Sequence, residues 1–310
     1  MDKRIKKITS ETIIYAMEDP SSPETTEWFE KETHLSSEKE YDENNNLVKS
    51  ISYNHSGDIN EHILYKFDEK NNCIEEICFF DENEIAEHHY FVFDDKNLCA
   101  NEKIVYAESG ESHVTFKYDE RGNLLERRVM NPEGETEEME VFEYDGDKLI
   151  SEKLFGEDNV LEHENKYSYH ENGDVVLYEH ITSEERSSYT TEYFYNQKGE
   201  REKILIYDAQ GRLREKLIYT RDDKGNILEV TEEDVTSVKT TKMSYDEKNN
   251  PVKQEDYNKE GILILSIERT FNDDGVLTET TVFSCNPVEE IYQLNATRHE
   301  YLFYDETHYD

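Results

Sequence analysis

Long apolar runs are absent from this chain of 310 residues, and nothing in it approaches the ~20 apolar residues of a membrane-spanning helix. The stretch Ile13-Ile14-Tyr15-Ala16-Met17 is too short for the apolar part of a secretion leader, and acids follow it directly. The chain therefore reads as cytoplasmic. Basic side chains are scarce, with 34 Lys and Arg against 74 Asp and Glu and a formal net charge of −40. Such a surface repels phosphate backbones and anionic lipid, which argues against nucleic acid and membranes as partners. The four cysteines (Cys73, Cys78, Cys99, Cys285) lack metal-ligand spacing. Cys73 and Cys99 occupy a slot filled elsewhere by Leu47, Leu124, Ile150, Val175 and Leu277, so they read as small core residues. The five prolines (Pro20, Pro23, Pro132, Pro251, Pro287) fall in turn slots or near the chain ends.

Catalytic signatures are missing too. No His-Glu-x-x-His, Gly-x-Ser-x-Gly or phosphate-binding glycine loop occurs. The adjacent His88 and His89 would face opposite sides of a strand and could not share a metal. Asp222-Asp223-Lys224-Gly225-Asn226 and Asn272-Asp273-Asp274-Gly275 lack the alternating ligand spacing of a calcium loop, and turn chemistry explains them. No enzyme activity, catalytic residue, metal or cofactor is expected.

Aromatic residues, by contrast, are plentiful, with 22 Tyr and 13 Phe. They mark a repeat: an aromatic anchor, a short polar turn, then an aliphatic residue. The anchors are Tyr41, Phe67, Phe93, Tyr118, Tyr144, Tyr169, Tyr195, Tyr245 and Phe271, spaced by 25 or 26 residues apart from one double gap. Arg221 fills the anchor slot inside that gap. A fixed period of this size defines a repeat architecture. A second series, including Tyr53, Tyr106, Met130, Ile181 and Tyr207, lies midway, so the unit is one strand and one turn of about thirteen residues. Alternation supports strands: Val114, Phe116 and Tyr118 point one way, His113, Thr115 and Lys117 the other. Asp or Asn after the anchor can bond the backbone two residues on, and Gly or Asn further along accepts a positive φ. Turns this short join antiparallel neighbours.

The expected fold is all-β, a meander of roughly twenty antiparallel strands of about 5 to 9 residues. It would coil into a solenoid or open shell with the aromatic face inward, or form an elongated single-layer twisted sheet. The expected domains are an N-terminal cap over residues 1–14 with the basic cluster Lys3-Arg4-Lys6-Lys7, one continuous repeat domain over 15–290, and a C-terminal cap over 291–310. Turn phrases are missing at Ile181–Ser188 and Glu232–Lys239, suggesting longer loops. An open end strand would permit weak self-association. The anchors should stack as a buried aromatic ladder.

The phrases Phe116-Lys117-Tyr118-Asp119-Glu120-Arg121-Gly122-Asn123-Leu124 and Ile206-Tyr207-Asp208-Ala209-Gln210-Gly211-Arg212-Leu213 resemble the YD repeats of the bacterial RHS family. The resemblance implies curved antiparallel sheets that wind into hollow shells. Function is expected to be non-enzymatic: a scaffold binding a protein or glycan along its curved surface, or else an acidic immunity or antitoxin-like protein that neutralises a basic toxin. Residues 131–164 carry thirteen acids and two lysines. Within them Glu137 and Glu143 are the expected contacts for a basic partner, because Glu138 and Glu140 share the face of Phe142 and Tyr144.

Overall fold

A computed structural model describes residues 4–18, 27–108 and 110–304. Lys3, Pro20, Pro23 and the end of the expected C-terminal cap lie outside the described residues. The strands, in chain order, are β1 (Ile5–Met17), β2 (Trp28–Tyr41), β3 (Leu47–Tyr53), β4 (Ile59–Phe67), β5 (Cys73–Phe79), β6 (Ile85–Phe93), β7 (Cys99–Tyr106), β8 (Gly110–Tyr118), β9 (Leu124–Met130), β10 (Thr136–Asp145) and β11 (Lys148–Phe155). They continue with β12 (Leu161–Tyr169), β13 (Val175–Thr182), β14 (Tyr189–Tyr195), β15 (Arg201–Asp208), β16 (Leu213–Arg221), β17 (Ile227–Asp234), β18 (Val238–Tyr245), β19 (Pro251–Tyr257), β20 (Leu263–Phe271), β21 (Leu277–Asn286) and β22 (Ile291–Phe303). All 22 belong to one sheet, and every pairing described here is antiparallel. β1, β2 and β22, at 13, 14 and 13 residues, exceed the expected length.

The chain packs as two compact units rather than one continuous domain. The first comprises residues up to Ala86 and from Lys239 onward; the second is Glu87–Val238. In the first unit the hydrogen-bonded order runs β18-β19-β20-β21-β22-β1-β2-β3-β4-β5. The two chain ends therefore meet. β1 and β22 pair from Ile5↔Phe303 to Tyr15↔Leu294, and this overturns the open solenoid. Segments read as caps are full strands, and neither leaves an edge for another chain. The second unit is an unbroken meander from β6 to β17.

Each anchor sits at a bulge at the end of its strand, Tyr144 one residue before it. Tyr118 pairs with Leu124 while Lys117 pairs with Glu126, which leaves Leu125 as the extra residue. The turns between are built alike. The Asp119 carboxylate accepts from the N–H groups of Arg121 and Asn123 at 2.8 and 2.9 Å. Asn123 donates its side-chain amide to the other oxygen at 2.9 Å. Gly122 sits at φ 93°, and Asn249 takes the same place at φ 72°, the left-handed region those two residues tolerate. Asp222 spends its oxygens in the same way on Lys224, Asn226 and the Asn226 amide. Of the two slips in phase, one holds a 3-10 turn at Glu185–Ser187. The other is only the short connection Val235–Ser237, and it adjoins the boundary between units.

These turns make acid sensitivity predictable. Backbone N–H donors hold Asp68 and Asp119 below the usual carboxylate range, and the Asn226 amide does so for Asp222. A carboxylate with a depressed folded value contributes stability that is complete above its unfolded value, about pH 4, and is lost as pH falls through the folded value. The urea midpoint should fall as pH is lowered from about 4 to 2. Asn196 makes the same two backbone bonds without titrating. A triple Asp68→Asn, Asp119→Asn, Asp222→Asn variant should therefore show a flatter acid limb. An identical limb would show that the turns are not the acid-labile element.

The core is thin. Among the described residues the buried hydrophobics are Ile13, Ile51, Val114, Ile204 and Ala296. Strand register puts Val114 and Ile204 on the anchor face, with Ile13, Ile51 and Ala296 on the other. The anchors are all half-buried rather than enclosed. Their hydroxyls, not ring stacking, tie the repeats together. Tyr118, Tyr169 and Tyr195 donate to the carbonyls of Cys99, Leu149 and Val175, on the preceding strand, at 2.8, 2.6 and 2.7 Å. Arg221 reaches the equivalent carbonyl of Arg201 at 3.2 Å with its guanidinium, which explains how arginine can hold an anchor slot.

Candidate functional site

The residues expected to meet a basic partner are largely engaged within the chain. Glu143 is exposed but ion-paired to Lys153 at 2.7 Å. Arg127 binds Glu138 and Glu140 at 2.8 and 3.1 Å. Glu137 is exposed near the start of β10. Arg127 lies outside the acidic window read from the sequence, so the window overstated the free charge. His88 and His89 do face apart: His88 stacks on Tyr90 at 4.0 Å, and His89 bonds Glu102 at 2.7 Å.

A different cluster stands out on the anchor face of the second unit. His163, Asn165 and Tyr167 alternate along β12 and pair with Thr182, His180 and Tyr178 of β13; His180 pairs in turn with Tyr189 of β14. The strand period thus gathers five rings into a row. Centroids are 5.3 Å apart for His163–His180, 5.0 Å for His180–Tyr189, 5.8 Å for Tyr178–Tyr189 and 5.3 Å for Tyr167–Tyr178. The rings are tilted by 33° to 56°, the offset arrangement aromatic pairs favour. All five are half-buried.

A polar hub fixes the row. Asn165 Oδ1 accepts from the Tyr178 hydroxyl at 2.9 Å and lies 2.7 Å from His180 Nδ1. The Asn165 amide and the Tyr167 hydroxyl both donate to Glu152 Oε2 at 3.3 Å. Burial, followed by the Glu152 charge, pushes Tyr167 up to about 12. Burial also raises Tyr178 and lowers His180, whose neighbour His163 adds to the effect. The hydroxyls are therefore neutral donors at ordinary pH. At Tyr189 the row opens into a pocket of about 480 Å³ lined by Tyr189, Ile206, Arg214, Glu215, Asp234 and Thr236, with the 81% exposed Val235 at its lip.

Sequence patterning exposed part of this. Tyr167 and Tyr193 each precede an anchor by two residues, a signal for a shared face. Tyr189 carries the same alternation, through Thr191 and Tyr193 to the anchor Tyr195, whereas His163, His180 and Tyr178 carry no such mark, since their approach depends on cross-strand register.

No family model matches the sequence, and no curated protein matches it. Several solved structures do. One, titled as a TcdB2-TccC3-Cdc42 crystal structure, has a TM-score of 0.44 at 10% identity over 93% of this chain. A Photorhabdus luminescens Tc holotoxin pore gives 0.33 at 12% identity over 92%. This chain spans 20% and 18% of those two. A porin-like protein from Bacteroides uniformis gives 0.30 at 9% identity, covering 96% of this chain and 98% of that one.

Proposed function

We propose that this protein is a non-enzymatic repeat scaffold, of the YD-repeat kind, that binds a glycan on the second unit along the row from Tyr167 to Tyr189. The observation that carries the reading is the row itself: half-exposed rings, continuous over three strands, ending at a pocket with mixed polar lining. Sugar rings present apolar C–H faces that pack on aromatic rings and hydroxyls that need donors and acceptors. Arg214, Glu215, Asp234 and Thr236 supply both. The acidic run supports a docking role for basic proteins less well, because Glu143, one of its two expected contacts, is paired to Lys153, and Glu138 and Glu140 are paired to Arg127.

Tyr189 joins the row to the pocket, so Tyr189→Ala is the informative change. Titration with β-1,4-linked N-acetylglucosamine and glucose hexasaccharides should show binding that weakens about tenfold in the variant, or ~1.4 kcal/mol. Stacking is not an ion-pair effect, so binding should change little between about 50 and 300 mM salt. If neither hexasaccharide binds the parent protein, or if the variant binds equally well, the glycan reading fails.

A further inference from the structure

The Glu152 carboxylate lies beside the row and, among the described residues, pairs with no cation. The sheet segregates its charges by face. Lys153 and Lys166 point to the opposite side, where they pair with Glu143 and Glu164. On the ring face Arg127 is committed to Glu138 and Glu140. Arg201, on β15, sits over the Tyr193 ring at 4.7 Å. His163 and His180 also face the site, and burial, followed by the His163 charge, lowers the His180 pKa. Glu152 itself is half-buried and receives only neutral donors, the Tyr167 hydroxyl and the Asn165 amide. Burial, Asp119 and then Glu152 raise the neighbouring Tyr144, so the charge is felt by tyrosines on two sides.

A half-buried carboxylate without a counter-charge is costly, and tyrosine faces attract cations. The same place offers both. We infer that the row selects ligands bearing an organic ammonium group, with Glu152 as its counter-ion and the faces of Tyr167 and Tyr178 as its walls. The inference rests on the glycan reading to the extent that the ammonium is carried by an amino sugar.

Calorimetric titration at pH 6, where sugar amines are charged, separates the possibilities. The probes are the β-1,4-linked glucosamine hexasaccharide, its fully N-acetylated counterpart, and tetramethylammonium. The parent protein should bind the amino hexasaccharide about tenfold more tightly than the acetylated one, the scale of a partly desolvated cation–π contact. Glu152→Gln keeps the shape and the acceptor for Tyr167, and it should erase that preference; its melting curve verifies folding. Binding of both hexasaccharides without preference would overturn the ammonium inference and leave the glycan reading intact. Glu152-dependent binding of tetramethylammonium alone would do the reverse. No binding of any probe would overturn both.

Discussion

Replacing Ile13 with aspartate should cost the first unit more than about 4 kcal/mol, because it places an unpaired charge in a closed strand interface. Ile13 is 1% exposed, and Ala296 opposite it on β22 is 1% exposed. On its other side Ile13 pairs with Thr33 of β2. The milder Ile13→Ala should cost about 3 kcal/mol from lost transfer and cavity terms. β1 is hydrogen-bonded on both flanks, so losing it frees two strand edges at once, on β2 and β22, and free edges template association. Trp28 reports the event: it is the only tryptophan, pairs with Met17 at the end of the seam, and lies edge-on to Phe283 at 6.4 Å. Urea unfolding followed by its fluorescence, with light scattering against concentration, should show a lower midpoint and new self-association. An unchanged midpoint in a monomeric Ile13→Asp variant would mean that the seam is dispensable.

The same seam marks the limit of what patterning reveals. Strand identity, turn chemistry and the shared face of the anchors are local properties, and each hairpin carries its own signal in an Asp or Asn, a Gly or Asn, and an aliphatic residue. Closure is not local. It depends on Ile13 meeting Ala296, on the Tyr304 N–H reaching the Arg4 carbonyl at 3.0 Å, and on the Tyr304 hydroxyl donating to the Tyr41 carbonyl. Tyr301 donates to the Leu277 carbonyl at 2.8 Å as an anchor does. It comes thirty residues after Phe271, and the broken period hides it. Bulges obscure the aromatic row for a related reason. Each adds a residue to one strand, so which side chains become neighbours two strands away follows from accumulated register rather than from spacing.

Shaving the hydroxyl from Tyr118 should separate two effects that the repeat combines. Tyr118→Phe removes the bond to the Cys99 carbonyl and should cost about 1 kcal/mol, the net worth of one such bond. Tyr118→Ala also removes the half-buried ring. It should cost about 2 to 3 kcal/mol, below the 3–5 kcal/mol of an enclosed aromatic, since this ring is half-exposed. The converse change tests the rule at a site where nature left the bond out. Phe67 occupies an anchor slot with no hydroxyl, and Leu47 holds the carbonyl position equivalent to Cys99. Phe67→Tyr should therefore gain about 0.5 to 1 kcal/mol. Chemical denaturation of the three variants should yield a loss, a larger loss and a gain. Equal losses for Tyr118→Phe and Tyr118→Ala would assign the anchor's whole contribution to its hydroxyl. No loss in Tyr118→Phe would return the anchors to plain apolar packing and leave the preference for tyrosine over phenylalanine without its physical cause.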